Sequence, residues 1–230
     1  MDFQSFLLIV PVLLFSVIAH EYAHGYVALR EGDTTALSLG RLTWNPLKHI
    51  DPFMTVILPL MLWIVSHGSM LLGGAKPVPV DPRNYRNYKR GDILVSLAGV
   101  VTNLIIAIGC VGVFVLVGLL GRAVPATSDT LGILQAMMFQ GLRLNLILIA
   151  FNLIPIPPLD GSHVVKYLMP ASWAIRYQQI SRYGLLLLIL LLGFGGALLE
   201  QWMRPAMVFG TMLIEWASPY SLPTFAKWLT

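Results

Sequence analysis

Charge is scarce in this chain of 230 residues: 11% are Asp, Glu, Lys or Arg, while 57% are hydrophobic. A soluble domain carries roughly a quarter charged residues, so a water-soluble fold is excluded and an integral membrane protein is expected. Cysteine is nearly absent. The single Cys110 sits in an apolar run, which excludes an intramolecular disulfide and reads as a small core residue. There is no internal repeat and no low-complexity linker, so a solenoid and a string of tethered modules are both excluded. The basic residues lack aromatic interleaving and any nucleic-acid motif, so no nucleic-acid partner is expected. The opening residues carry Asp2 rather than a base, and no small-residue cleavage pattern follows; the apolar stretch behind them reads as a retained helix, not a secretion signal.

What is abundant is apolar sequence, in runs at 6–17, 53–65, 93–120, 144–151 and 185–199. A helix that spans a bilayer needs about 20 mostly apolar residues, which leaves room for four to six spans and for no soluble domain beside them. The expected fold is an all-α polytopic membrane protein, one membrane-embedded domain over 1–230. Its parts are a first helix at 4–30, a segment at 53–80, and helices at 93–120, 131–151, 159–168 and 183–203. Pro77 and Pro79, at alternate positions, exclude helix from the end of the second part and leave an extended edge, a short β element.

Eleven of the fifteen Lys and Arg residues form three clusters: Arg30, Arg41 and Lys48; Lys76, Arg83, Arg86, Lys89 and Arg90; and Lys166, Arg176 and Arg182. The positive-inside rule places all three in the cytoplasm. A single crossing by 53–72 would separate the first two, whereas a re-entrant loop over 53–80 keeps them on one side. An ordinary transmembrane hairpin with one basic loop outside stays open as the alternative.

His20-Glu21-Tyr22-Ala23-His24 spells H-E-x-x-H. Positions i and i+4 share one face of a helix, so both imidazoles can hold one cation while the Glu stands beside a bound water. From the chain's own composition such a motif arises by chance with a frequency of about 0.002. Two packed histidines would not explain a Glu deep in an apolar helix, which costs roughly 2.5–3.5 kcal/mol on insertion scales. A third ligand is needed, and Asp160 is the best candidate. It follows Pro155, Pro157 and Pro158, which force a non-helical approach, and precedes Gly161, which permits close packing; the plainer role is helix N-cap. His20 and His24 precede Arg30 by ten and six residues, roughly 9–15 Å along a helix, and so lie within the membrane thickness.

These motifs together resemble the site-2 protease family of intramembrane zinc metalloproteases, and the likeness covers most of the chain. His20–His24 matches the catalytic helix, and 152–161 matches N-x-x-P-x-x-x-L-D-G. Gly40-Arg41-Leu42, Asn45-Pro46, His49-Ile50-Asp51-Pro52 and the run Ala75-Lys76-Pro77-Val78-Pro79-Val80 resemble its short prokaryotic branch, without PDZ or CBS domains. The stretch 96–103 resembles an A-G-P-x-x-N helix, with Val100 where proline is usual. The resemblance implies one Zn2+ per chain on His20, His24 and Asp160, with Glu21 as general base. It also implies that Asn152 and Asn103 hydrogen-bond an unwound substrate; read alone, Asn103 serves equally as a helix-packing polar residue. The edge at 76–80 offers strand addition as a further hold on substrate. His49 and Asp51 are assigned no role; His163 stands close behind Asp160 but reads first as a solvated loop histidine, and His67 either lines the re-entrant loop or packs.

The expected activity is an intramembrane zinc metalloendopeptidase that cleaves transmembrane segments, in regulated intramembrane proteolysis or in clearance of membrane peptides. It would lie multi-pass in the cell (inner) membrane, with its active site toward the cytoplasm and its amino terminus outside. The alternative is a non-proteolytic membrane protein that binds or transports metal. Oligomeric state is not legible.

Overall fold

The computed structural model describes residues 3–57, 61, 64 and 74–228. Among them the chain forms eight α-helices: α1 (Phe3–Glu31), α2 (Thr35–Ser38), α3 (Tyr88–Ala123), α4 (Ser128–Asn152), α5 (Asp160–Val165), α6 (Ala171–Ile180), α7 (Gly184–Phe194) and α8 (Gly196–Ala217), with single helical turns between several of them. Four stretches are long and apolar enough to cross a membrane: Leu8–Glu31, Tyr88–Ala123, Pro125–Asn152 and Ala171–Phe194. The protein is a multi-pass membrane protein.

No strand forms among the described residues, and 74–81 is extended without a ladder partner. The proline spacing that suggested an edge also removes every second ladder donor there. The proposed re-entrant turn itself, together with His67, falls on residues outside those described. The single helix expected at 183–203 is two, broken at Gly195, which caps α7 with a non-helical backbone before α8 begins. A hydropathy run reads no backbone preference, so that reading passed over Gly193, Gly195 and Gly196, which disfavour a helix interior.

The chain divides into two compact units, one of residues 17–99 and one of 1–16 with 100–230. In the larger unit Ala107, Cys110, Val111 and Phe114 of α3 pack with Leu142 and Leu146 of α4 and Ala217 of α8. On the other face of α3, Val101, Leu104, Ile105, Ile108 and Leu116 are exposed. Their spacing of three, four and eight residues makes a stripe that suits lipid, which demands no polar cover. Two buried amide side chains of this unit are tied to the packed helices. Gln135, fully buried, donates to the carbonyls of Phe114 and Tyr220, each at 3.0 Å, and accepts from the Leu222 amide at 2.9 Å. Asn145 donates to Ser16 Oγ at 2.9 Å and to the Gly141 carbonyl at 2.8 Å.

The smaller unit is organised around the end of α1. Gly32 takes φ 114°, a left-handed turn open to glycine, and stops the helix. The Asp33 side chain, 1% exposed, then ties three segments together. It accepts from the Thr35 amide (3.1 Å) and hydroxyl (2.5 Å), the Asn84 side chain (2.9 Å) and the Asp81 amide (2.7 Å). Burial alone would raise its pKa, but these donors together hold it below the ordinary carboxylate range.

A depressed folded pKa means stability that is present above the unfolded value, about 4, and lost as pH falls through the folded one. Asp33→Asn should therefore lower stability at pH 7 by about 1–3 kcal/mol, measured by thermal unfolding in detergent micelles. The gap to wild type should close as the pH is taken below about 4; a gap independent of pH would refute the assignment.

Candidate metal centre

His20 and His24 stand one turn apart on α1, and their Nε2 atoms approach to 3.0 Å. The rings meet edge to face, with centroids 4.6 Å apart and planes 82° from parallel. His24 Nδ1 lies 2.7 Å from the carbonyl oxygen of Val95 in α3. A carbonyl only accepts, so Nδ1 carries the proton, and Nε2 is the ring nitrogen that can act as a ligand atom. Two tetrahedral zinc ligands with Zn–N near 2.0–2.1 Å have nitrogens about 3.3 Å apart. The observed spacing is close to that, and the donor set fits zinc.

Gly99, one turn beyond Val95, makes room for the other imidazole. A Cβ built there would fall 2.5 Å from both ring nitrogens of His20, well inside van der Waals contact. The α3 helix thus serves the histidines twice, with a carbonyl for one and a missing side chain for the other.

Glu21, between the two, turns its carboxylate to the extended segment: Oε2 accepts from the Val78 amide at 2.8 Å. Val78 is 5% exposed and packs at Gly25, where a Cβ would come within 2.8 Å of its Cγ1. The Val78 amide that strand addition would have used is engaged within the chain.

Asp160 belongs to the larger unit and is the first residue of α5. Its approach is tightly built. A Cβ on Gly161 would collide with the Leu153 carbonyl, Ser162 Oγ donates to the Leu159 carbonyl at 2.7 Å, and the Tyr177 hydroxyl donates to that of Pro155 at 2.9 Å. Asn152 ends α4 and donates to the Leu148 carbonyl at 2.9 Å. Asn103 is fully buried, and neither its amide nitrogen nor its oxygen has a hydrogen-bond partner among the described residues. Such a group is uncommon in a finished interior and suits a side chain whose partner arrives from outside. His49 packs instead, 3% exposed, with Nε2 at 2.9 Å from the Thr43 carbonyl.

Sequence reasoning missed Val95 and Val78. Both act through backbone, which leaves no mark in residue type. Gly99 lay in a stretch singled out above without a role of its own.

Residues 8–192 match the sequence profile described as Peptidase family M50. The chain is 37% identical over 183 residues to YwhC of Bacillus subtilis (strain 168), named as a candidate zinc metalloprotease, covering 80% of this chain and 78% of that one. It is 30% identical over 193 residues to Rip2 of Mycolicibacterium smegmatis, named likewise, covering 81% of this chain and 67% of that protein. No solved structure gives a significant match.

Gly99→Ala should displace the His20 ring and reduce zinc retained after purification at least tenfold while circular dichroism keeps its helical signal. Zinc content by atomic absorption checks this; undiminished zinc would show that the close fit does not matter.

Proposed function

The chain belongs to peptidase family M50, the site-2 proteases, and on that footing we propose that this membrane zinc metalloprotease cuts transmembrane segments of other proteins or peptides within the bilayer. The observation that carries the reading is Glu21, set between two imidazoles on a helix apolar enough to span the membrane, with one imidazole fixed in its ligating tautomer. A packed core needs no carboxylate there, and a transporter would need further polar residues on several helices, which are scarce in this sequence.

His20, His24 and Asp160 are the proposed ligands of one zinc ion per chain. Two neutral nitrogens and one carboxylate leave a tetrahedral position open, as catalytic zinc sites do. Zinc, when bound, supplies Lewis-acid polarisation and lowers the pKa of a water to about 7. Glu21 takes a proton from the attacking water as its oxygen bonds to the scissile carbonyl carbon, then delivers that proton to the departing amine as the C–N bond breaks. A transmembrane helix hides its amides in internal hydrogen bonds, so substrate must unwind before it is cut. Asn152 and Asn103 are proposed to meet the amides and carbonyls that unwinding frees; the unpartnered amide of Asn103 supports this.

The whole chain, 1–230, would act as one peptidase domain in the cell membrane. The basic clusters support a catalytic centre facing the cytoplasm.

With purified protein and a model transmembrane substrate in detergent, Glu21→Gln should reduce cleavage by about 10²–10⁴-fold while zinc stays near one per chain. Asp160→Asn should lose both cleavage and zinc. Wild-type rates from Glu21→Gln would overturn the reading.

A further inference from the structure

The extended segment 74–81 is held along its length by hydrogen bonds. Pro77 and Pro79 have no N–H, so between 76 and 80 only Lys76, Val78 and Val80 carry amides. The Lys76 amide donates to the His49 carbonyl at 2.8 Å, and the Val78 amide to Glu21 Oε2 at 2.8 Å. Thr55 Oγ1 donates to the Gly74 carbonyl at 2.7 Å, and the Asp81 amide to Asp33 Oδ2 at 2.7 Å. The carbonyls of Lys76 and Pro77 accept from one nitrogen, Arg41 Nη2, at 3.0 and 3.3 Å.

The Pro77 carbonyl and the Val78 amide are two ends of the same peptide unit, which is planar and rigid. One end faces the Arg41 guanidinium, the other the Glu21 carboxylate. A cation at the oxygen fixes the rotation of that plane, and so the direction in which the N–H points. It also draws electron density toward the oxygen and makes the N–H a stronger donor. Arg41 is aimed in turn by the backbone that carries it. Gly40 adopts φ 61°, a left-handed conformation that favours glycine, and the Arg41 amide closes onto the Ala36 carbonyl at 2.9 Å. On the far side, Val78 packs at Gly25, one turn of α1 beyond Glu21.

We propose that Arg41 is a positioning residue for the general base: it orients the Pro77–Val78 peptide, whose N–H holds one oxygen of Glu21 and so sets the direction in which the carboxylate meets the attacking water. This rests on Glu21 being the base, as proposed above. It gives the Gly40-Arg41-Leu42 motif and the alternating prolines one shared purpose. The prolines keep the segment extended, and the arginine sets the rotation of one peptide within it.

The test uses full-length protein in detergent, with steady-state cleavage of a model transmembrane substrate, zinc content, and hydrogen–deuterium exchange on peptides covering 76–80. The prolines simplify the last, because few amides report. Arg41→Gln should speed exchange of the Val78 amide at least tenfold. It should also lower kcat by about 10–100-fold, the scale of a misplaced catalytic group, with KM within about twofold and zinc retained. Arg41→Lys should recover part of kcat. Val78→Pro, which deletes the N–H and leaves Arg41 intact, should reproduce the kcat loss, and it decides the matter if Arg41→Gln does not fold. A rise in KM with kcat unchanged would assign the segment to substrate binding and overturn the proposal. So would wild-type kcat from Val78→Pro while Glu21→Gln is inactive, a result that spares Glu21 as base. If Glu21→Gln cleaves like wild type, the base assignment falls and this proposal with it.

Discussion

The contact between His24 Nδ1 and the Val95 carbonyl, 2.7 Å long, is the interaction on which the rest of the centre depends. In water an imidazole exchanges tautomers. Against the Val95 carbonyl, which only accepts, the proton sits on Nδ1, and Nε2 is the ring atom that can act as a ligand. The carbonyl belongs to a helix, so it is held in place by the same packing that buries Val95 and Ala28 together. Fold stability and ligand geometry are thus the same constraint in this part of the molecule.

The surrounding bundle follows one economy of polar groups. Where lipid or apolar side chains replace water, each buried amide must find a partner within the chain. Gln135 uses both ends of its side chain, Asn145 donates twice, and Trp202 donates to the Ala150 carbonyl at 2.8 Å. Asn103 departs from this habit among the described residues, in a helix whose neighbouring turn also supplies Gly99 to the centre.

The parts of the chain that were legible in its sequence share a periodicity. The 3.6-residue repeat places His20 and His24 on one face, and the long apolar run of 93–120 reads directly as the body of α3. The special backbone path before Asp160 was legible because three prolines precede it and a glycine follows, and the helix does begin at that residue. The break at Gly195 was marked by Gly193, Gly195 and Gly196, which disfavour a helix interior, but a reading by hydropathy passed over them. Two things were not legible. The carbonyl of Val95 and the amide of Val78 could belong to any residue type. The short β element failed for a related reason: an extended backbone is predictable from alternate prolines, but a ladder needs a partner strand that local sequence does not specify.

That extended stretch has a consequence for how copies of the protein tolerate crowding in a membrane. An open backbone edge normally invites a neighbouring molecule to stack on it, and sheets can grow from such edges without limit. Here Pro77 and Pro79 remove two donors, and those of Lys76 and Val78 are already committed to His49 and Glu21. A hazard for self-assembly is disarmed by the same bonds that hold the carboxylate in place.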